Sequence, residues 1–261
     1  MNSVIFATAW WHYPIITITG FVAGAMIVTS GGGSFLTYPL LLALGDRTIV
    51  ANATSTVGLW PAGLASIPGT SNEIKSNKKV IAKLLLPAFF GAILGSYLLT
   101  QTSDEVFGFI APVLIFFGAL ALQFKDSIVR FSNHIRIHTP RRRIFAVGGL
   151  IFFISSYSSF FGAGVGILML GVLSLLEVDH LVHNIAIKNI LVIVSNGIAV
   201  IYFLSVGLVH WQFSLALACG SIPGGYFGAH AIHFVNEKYV RRFTVAFGLV
   251  ASIVLFVRQV K

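Results

Sequence analysis

Charged residues are scarce in this chain. Asp, Glu, Lys and Arg make up only 10% of its 261 residues, whereas they make up about 25% of an average soluble domain. Hydrophobic residues account for 56%, and the mean hydropathy is +0.90. The shortage of charge excludes an ordinary soluble domain and indicates an integral membrane protein.

Cysteine and acidic residues are also scarce. Cys219 is the only cysteine, so an internal disulfide is excluded. The chain has 8 acidic residues and 17 Lys and Arg, which gives a net charge of +9. The basic residues concentrate in a few loops, and the positive-inside rule reads those loops as cytoplasmic. The net positive charge therefore reflects the orientation of the chain in the membrane. We expect the lipid bilayer as a partner and do not expect nucleic acid.

Motifs of well-known catalytic and nucleotide sites are missing. The sequence contains no Walker phosphate loop, dinucleotide fingerprint, HExxH zinc site or GxSxG nucleophile elbow. It also offers no paired carboxylates and no nucleophile with an adjacent base. We therefore expect no enzyme activity, no cofactor and no metal site.

What the chain does have is apolar segments, which fill most of its length. Segments 34–45 and 164–177 are too short to cross about 30 Å of hydrocarbon at about 1.5 Å per residue. We expect each of these two to form a broken or re-entrant helix pair with the segment before it. The apolar segments lie at residues 14–30, 34–45, 48–68, 80–100, 106–124, 144–161, 164–177, 181–205, 212–234 and 242–257.

The two halves of the chain resemble each other at an offset of 132 residues, which pairs Gly32 with Gly164 and Asn52 with Asn184. Each half holds an odd number of apolar segments, about five, so the second half would be inverted in the membrane. We expect an all-α polytopic membrane protein with an inverted internal repeat. The predicted organisation is one transmembrane domain, 1–261, with repeat 1 at 14–124, a basic cytoplasmic linker at 125–143, repeat 2 at 144–257, and helix interruptions near 30–34 and 162–166.

The interruption in the first half predicts a ligand site. Three consecutive glycines leave backbone groups that lipid cannot satisfy, so such a break must be buried in protein or line a polar cavity. A helix beginning near Ser34 would direct its N–H groups and positive dipole end toward the membrane centre, where they suit an anion. The alternative is that these small residues merely permit close helix packing. The candidate residues are Ser30, Gly31, Gly32, Gly33, Ser34, Asn52, Thr54, Ser55 and Thr56.

The matching region of the second half adds a cation, because Lys188 aligns with Thr56. Lys188 lies about 12 Å along its segment, where an uncompensated charge costs at least about 2.5–3.5 kcal/mol. It therefore needs an anion, a carboxylate or water. The alternatives to a substrate are snorkelling toward the cytoplasmic surface and pairing with Glu177 or Asp179. The candidate residues are Gly162, Gly164, Gly166, Asn184, Lys188 and Asn189.

Two histidines lie at the inner end of the second interruption. His180 and His183 share one helical face, and histidine titrates near neutrality, so this pair is a candidate for proton coupling. Solvated residues at a helix end are the alternative interpretation. A metal site is not expected, because no further His or Cys follows at ligand spacing.

The glycine pattern resembles that of a known family. The first repeat signature of the sulfite exporter TauE/SafE family, also called the toluene sulfonate uptake permease family, is similar to residues 20–55. The span 162–228 resembles the second repeat, although its glycine triplet is reduced to alternate positions and Gly171 stands where a proline is expected. The residues that carry the first resemblance are Gly20, Gly24, Gly31, Gly32, Gly33, Pro39, Gly45 and Ala51 to Ser55.

The resemblance implies a function. A family member would be a secondary transporter of small anions, most of all sulfur-containing ones such as sulfite, thiosulfate, sulfoacetate or another sulfonate. The anion would bind at the midplane between the two repeats and move by alternating access. An anion channel is the alternative, and a homo-oligomer is left open. The expected location is the bacterial cytoplasmic (inner) membrane.

Overall fold

The computed structural model describes residues 10–29, 31–134, 139–176, 181–231 and 237–260. Within these ranges the chain forms α-helices and two short 3-10 helices and no strand, which confirms the expected all-α class. The 3-10 helices are Ile67–Thr70 and Ser174–Leu176. The α-helices are α1 His12–Thr29, α2 Ser34–Ala43, α3 Thr48–Ala65, α4 Ser71–Ser76, α5 Lys78–Gln101, α6 Asp104–Gln123, α7 Lys125–His134, α8 Pro140–Phe160, α9 Val165–Leu173, α10 Leu181–Ser205, α11 Trp211–Ala231 and α12 Glu237–Val260.

Five helices in the described part of the chain are long and apolar enough to cross a membrane, namely α5, α6, α8, α10 and α12. About 20 apolar residues are needed to span the hydrocarbon core as a helix, and these helices meet that requirement. The shorter apolar helices are α1, α2 and α9. This pattern is that of an integral membrane protein.

Glycine determines how the long helices pack. A Cβ added to Gly91 of α5 would collide with the carbonyl oxygen of Phe152 in α8. In α11, a Cβ on Gly224 would collide in the same way with the carbonyl oxygen of Phe21 in α1. Small residues at such positions let helix backbones approach closely. These glycines therefore allow close backbone packing between α1 and α11 and between α5 and α8.

Loops and helix ends gather at two opposite ends of the bundle. We call one end the Asp46 face: there the carboxylate of Asp46 lies 2.7 Å from His210 Nδ1, and Arg47 pairs with Asp104. We call the other end the basic face, because the basic loops lie there; residues 66–79, α7 and the start of α12 form it. Helices α3 and α6 both begin at the Asp46 face and run to the basic face.

An aromatic cluster fixes the position of α2. Tyr38 of α2 is 1% exposed and meets Phe161 edge to face, with ring centroids 5.3 Å apart. It meets Phe107 of α6 in the same geometry at 6.2 Å. Buried aromatic pairs of this kind contribute about 0.5–1.5 kcal/mol beyond the area they bury. The short helix α2 is thus held against α6 and the segment that follows α8.

Candidate functional site

The chain leaves the helical conformation at left-handed glycines before both α2 and α9. Between α1 and α2, Gly31 has a φ of 75°. Between α8 and α9, Gly162 and Gly164 have φ values of 78° and 73°. Glycine adopts these left-handed values without the steric cost that a Cβ imposes. The sequence therefore lets α2 and α9 begin in new directions at these two points.

The two interruptions are in direct contact through Gly31 and Gly166. A Cβ on Gly31 would lie 2.9 Å from the Cα atom of Gly166, and a Cβ on Gly166 would lie 3.2 Å from the Cα atom of Gly31. Side chains at these positions would hold the two segments apart. The start of α9 therefore lies directly beside the turn that leads into α2.

A cavity of about 40 Å³ lies beside this contact. A water molecule needs about 10–15 Å³, so the space suits a few waters or one small polyatomic ion. Residues of α1, α3, α8, α9 and α10 line it, as do the two turns. The sequence-predicted site residues that line the cavity are Gly31, Ser34, Thr56, Gly162, Gly166, Lys188 and Asn189.

Lys188 supplies the positive charge of the cavity. Its side chain projects from α10 and is only 2% exposed, so it does not reach the surface as a snorkelling lysine would. Its Nζ donates to the carbonyl oxygen of Val28, 3.5 Å away, in the last turn of α1. A cation at a helix C-terminus interacts favourably with the helix dipole. Among the described residues that line the cavity, Lys188 alone carries a formal charge.

Asn189 adds a hydrogen-bond donor next to that charge. The residue is 8% exposed, and its Nδ2 has no hydrogen-bond partner in the described part of the chain. A buried donor without a partner costs about 1–3 kcal/mol. Because the amide lines the same cavity as Lys188, it indicates that an acceptor belongs there.

Ser34 and Thr56 bring hydroxyl groups to the same cavity. Ser34 is the first residue of α2, so its hydroxyl and the first N–H groups of the helix lie together. The hydroxyl of Thr56 donates to the carbonyl oxygen of Asn52 at 2.9 Å. Thr56 is therefore held in place by its own helix, while its oxygen lies at the cavity.

Three polar residues predicted for the site make hydrogen bonds elsewhere. Asn52 donates through Nδ2 to the last carbonyl of α8 at 2.9 Å. The Thr54 hydroxyl accepts from the backbone N–H of His210 at 2.9 Å. Ser55 and Thr37 share a bond between their hydroxyls at 2.5 Å. In this structure these side chains join helices and do not face the cavity.

Close packing accounts for the other predicted residues outside the cavity. A Cβ on Gly33 would lie 2.7 Å from the carbonyl oxygen of Ala23, and one on Gly164 would lie 3.0 Å from Gly118. Gly32 is packed in the same way against a side chain of α12. Asn184 is buried, and its Oδ1 has no partner among the described residues. The predicted residues that do not line the cavity are Gly32, Gly33, Asn52, Thr54, Ser55, Gly164 and Asn184.

The remaining predicted residues are Ser30 and the histidine pair. Ser30 and His180 lie outside the described residues. His183 is half-buried in the first turn of α10 and does not line the cavity. The predicted role of the histidines in proton coupling stays a prediction.

Ser158 and Asn196 line the cavity and were not among the predicted residues. The hydroxyl of Ser158 donates to Asn196 Oδ1 at 3.0 Å. Ser158 lies in a serine-rich stretch, 155–159, within an otherwise apolar helix. That stretch is the sequence signal that would have identified it.

The pair formed by the buried Asp46 and the half-buried His210 was also missed. Asp46 Oδ1 lies 2.7 Å from His210 Nδ1, and the Asp46 side chain is 3% exposed. Its other oxygen, Oδ2, is buried and has no hydrogen-bond partner in the described ranges. Asp46 lies in the short loop between α2 and α3, outside the apolar segments, where a carboxylate does not conflict with its sequence surroundings.

Comparison with known proteins extends this description. A "Probable membrane transporter protein" of Haemophilus influenzae is 26% identical over 238 residues, covering 88% of this chain and 89% of that protein. The "Probable membrane transporter protein ORF9" of Sinorhizobium sp is 28% identical over 243 residues, covering 92% and 89%. The "Probable membrane transporter protein YfcA" of Escherichia coli K12 is 26% identical over 243 residues, covering 91% and 87%.

No solved structure matches the chain. The family model described as "Sulfite exporter TauE/SafE" matches residues 16–255, which is nearly the whole chain. The resemblance that the glycine pattern indicated is thereby confirmed. The chain belongs to the sulfite exporter TauE/SafE family of membrane transporters.

Proposed function

We propose that this protein is a secondary transporter of small anions and that the anion binds in the cavity beside Lys188. The observation that carries the proposal is the meeting of the Lys188 ammonium and the Asn189 amide nitrogen in one buried cavity. Both groups donate hydrogen bonds. The solute that such a cavity suits is negatively charged and rich in acceptor oxygens.

The helix starts strengthen this electrostatic argument. The turn before α2 and the first residues of α9 line the cavity through Gly31 and Gly166. The N–H groups of Phe35 and Leu36 donate to the carbonyls of Gly32 and Gly33 at 3.1 Å, so the helix starts act through the partial positive charge of their N-terminal ends, which favours anions. Two such helix starts, together with a lysine, make the cavity electrostatically favourable for an oxyanion.

The packing supports an inverted repeat. Helix α1 runs parallel to α11, with Gly24 against Ser221, and α5 runs parallel to α8, with Gly95 against Ser156. In a repeat with an offset of about 132 residues, α8 corresponds to α1 and α11 to α5, so the two interfaces correspond to each other. Inverted repeats of this kind place their site at the midplane between the halves. Alternating access would then follow from movement of one half against the other.

The two interrupted segments correspond in the same way. Helix α1 runs toward the basic face, and α2 returns toward the Asp46 face, where Tyr38 meets Phe107 near the start of α6. Helix α8 runs toward the Asp46 face, and α9 returns toward the basic face, where Gly171 meets Ile128. We infer two re-entrant pairs that enter from opposite sides and meet at Gly31 and Gly166.

The sulfur chemistry of the substrate comes from the family. Its description names a sulfite exporter, whereas the relatives carry only the name of probable membrane transporters. Sulfite, thiosulfate and organic sulfonates are compact oxyanions, in keeping with the size of the cavity. All three relatives described above are bacterial, which supports a location in the bacterial cytoplasmic membrane.

Counterflow in proteoliposomes tests the proposal. Vesicles preloaded with sulfite, thiosulfate or sulfoacetate are diluted into the same labelled anion, and uptake above that of protein-free vesicles is measured. With the membrane potential clamped at zero by equal K⁺ on both sides and valinomycin, a carrier shows counterflow, whereas a channel does not. Lys188→Met and Asn189→Leu should each raise the KM about tenfold or more, which corresponds to about 1.4 kcal/mol of binding.

Lys83→Met is the matched control, because Lys83 is an exposed lysine on α5 and does not line the cavity. Gly32→Leu, by contrast, would be uninformative, because a side chain at Gly32 collides with Phe35 and disturbs the fold. Unchanged transport kinetics in both Lys188→Met and Asn189→Leu would show that the transported anion does not bind in this cavity.

A further inference from the structure

We propose that Asp46 and His210 form a proton-binding site that couples the anion cavity to the Asp46 face. The ligand is a proton, which converts the His210 imidazole to an imidazolium facing the Asp46 carboxylate. This inference extends the proposed transport function and rests on it for its physiological role. Its structural part, a contact that depends on protonation, can be tested without any anion.

The charge balance of the pair gives the first argument. Asp46 Oδ1 lies 2.7 Å from His210 Nδ1, so a protonated ring would give the buried carboxylate a positively charged partner. A neutral ring could offer Asp46 Oδ1 only an uncharged hydrogen bond, while Oδ2 has no hydrogen-bond partner among the described residues. Burying an unpaired charge is strongly unfavourable. Loss of the proton should therefore weaken the contact.

Among the described residues, the basic group paired with the Asp46 carboxylate is His210. Arg47, the next residue, is paired with Asp104 of α6. Tyr38 and Arg258 line the same cavity of about 300 Å³ on the Asp46 face. That cavity gives water, and therefore protons, a route to the Asp46 carboxylate.

Other groups hold the histidine ring. Phe213 of α11 stacks on it, with centroids 4.0 Å apart, and Tyr13 of α1 lies behind Phe213 at a centroid distance of 6.4 Å. Histidine is the side chain whose charge ordinarily changes between about pH 5 and 8. The His210 ring is therefore fixed beside the Asp46 carboxylate, where a gained proton would place opposite charges in contact.

The pair is linked to the anion cavity through two helices. Asp46 follows the end of α2, whose first residue, Ser34, lines the cavity. The backbone N–H of His210 donates to Thr54 of α3 at 2.9 Å, and Thr56, two residues further on, lines the cavity as well. A change in the Asp46–His210 contact would therefore move elements that form the anion site.

The pair also joins the two halves of the chain. Asp46 lies in the α2–α3 loop of the first half, and His210 lies in the α10–α11 loop of the second. While the proton is bound, the contact holds these loops together and keeps the Asp46 face closed. When the proton leaves to water, the loops separate and the cavity opens to that face. Protonation would thus decide which side can exchange its anion.

Distance measurements on spin labels provide the test. Labels at Ala43→Cys and Val206→Cys report on the two loops, because both positions are exposed; Cys219, the single native cysteine, is replaced by Ser. In lipid nanodiscs without added anion, we expect one short distance near pH 5 and an additional longer distance near pH 8. His210→Gln and Asp46→Asn should each abolish this response.

A matched control is His230→Gln. His230 is an exposed histidine at the other end of α11, where its ring contacts Tyr226, and its loss should leave the pH response intact. Asp46→Asn is the second variant in case His210→Gln does not fold, since it keeps the size of the side chain. A wild-type distance that does not change with pH, or a response that survives both substitutions, would overturn the proposal.

Thiosulfate counterflow separates this inference from the transport function. Thiosulfate is used because its charge does not change over this pH range. The ratio of wild-type rates near pH 5 and pH 8 should be about fivefold or more and should fall to one in His210→Gln. If the labels respond to pH but no anion is transported, the transport function fails and the proton site stands. If transport occurs with an unchanged ratio in His210→Gln, the proton site fails alone.

Discussion

Gly31 and Gly166 touch backbone to backbone, and a Cβ on Gly31 would lie 2.9 Å from both the Cα and the N atoms of Gly166. This contact brings the starts of α2 and α9 together beside the cavity that Lys188 lines. Neither position has room for a side chain. The cavity beside Lys188 therefore depends on two glycines that have no side chain to contribute to it.

Gly31→Ala should destabilise the protein and impair transport. The left-handed φ of 75° costs an alanine about 1–2 kcal/mol, and overpacking against Gly166 adds about 1–3 kcal/mol. We expect a clearly lower apparent unfolding temperature in detergent, measured by intrinsic fluorescence, and reduced counterflow.

Gly207→Ala separates the two causes. Gly207 has a φ of 70°, and nothing lies within 4 Å of its would-be Cβ. This variant should show only the backbone part of the loss and should transport normally. Equal losses in the two variants would mean that contact with Gly166 contributes nothing.

Gly171 of α9 packs against α7. A Cβ on Gly171 would lie 2.9 Å from Ile128 Cγ2, so a side chain at this position would have to displace Ile128. Gly171→Val should therefore destabilise the protein by about 1–3 kcal/mol through overpacking.

A double-mutant cycle tests this contact. Ile128→Ala in the Gly171→Val background should recover part of the lost stability, because it makes room for the new side chain. The coupling energy between neighbours of this kind is about 0.5–3 kcal/mol. Strictly additive effects in thermal unfolding would contradict direct contact.

The sequence predicted the all-α class and several of the residues that line the cavity. It did not show which of the neighbouring polar residues face the cavity and which pack elsewhere. Gly31, Gly166 and Lys188 were identified because glycine in an apolar run and lysine inside a membrane segment both conflict with their surroundings. A conflict of this kind is visible locally, without knowledge of the fold.

Asn52, Thr54 and Ser55 could not be separated from Thr56 in this way. Their partners are distant in sequence: the acceptor of Asn52 lies 108 residues away and the donor to Thr54 lies 156 residues away. One turn of α3 therefore contains residues that bind other helices and one residue that faces the cavity. Only the packing of the helices tells them apart.

Asp46 shows the opposite kind of miss. It lies in a loop between two apolar segments, where a solvated carboxylate is the ordinary expectation. Its partner His210 is 164 residues away, and residues of α6 and α12 line the same cavity. A short loop in a membrane protein can thus contain a buried carboxyl group that hydropathy does not reveal.

Asp104→Ala should destabilise the start of α3. The Asp104 carboxylate accepts from the Ile49 N–H at 3.0 Å and from the Thr48 hydroxyl at 2.9 Å, so it caps a helix to which it does not belong. Losing a cap costs about 0.5–2 kcal/mol. Glu105→Ala is the control, because this adjacent acid is exposed, and its unfolding temperature should match that of the wild type.

Arg241→Gln should change stability in a pH-dependent way. The hydrogen bond from Arg241 to Asp126, 2.8 Å long, holds the pKa of that carboxyl below its ordinary value of 3.8. A lowered pKa in the folded state stabilises the protein above the ordinary pKa, and the effect is lost as the pH falls through the lowered one.

The size of that effect is limited by exposure, since the Asp126 side chain is 63% exposed. The contribution of such a surface pair is about 0–1 kcal/mol. Unfolding temperatures of the wild type and Arg241→Gln should differ slightly at neutral pH and converge in acid. A gap that widens as the pH falls would contradict the assigned sign.

Lys188→Met separates a binding role from a structural one. Methionine matches the length of the lysine stem and removes the charge, and replacing a buried charge by an apolar group is often neutral or stabilising. If the charge serves an anion, the purified variant without anion should unfold at the same or a higher temperature. Added thiosulfate should raise the unfolding temperature of the wild type and not that of the variant, because a ligand stabilises only the state that binds it. If the variant unfolds at a lower temperature without anion, the Lys188 ammonium stabilises the folded state. That result would contradict the assignment of the cavity as the anion site.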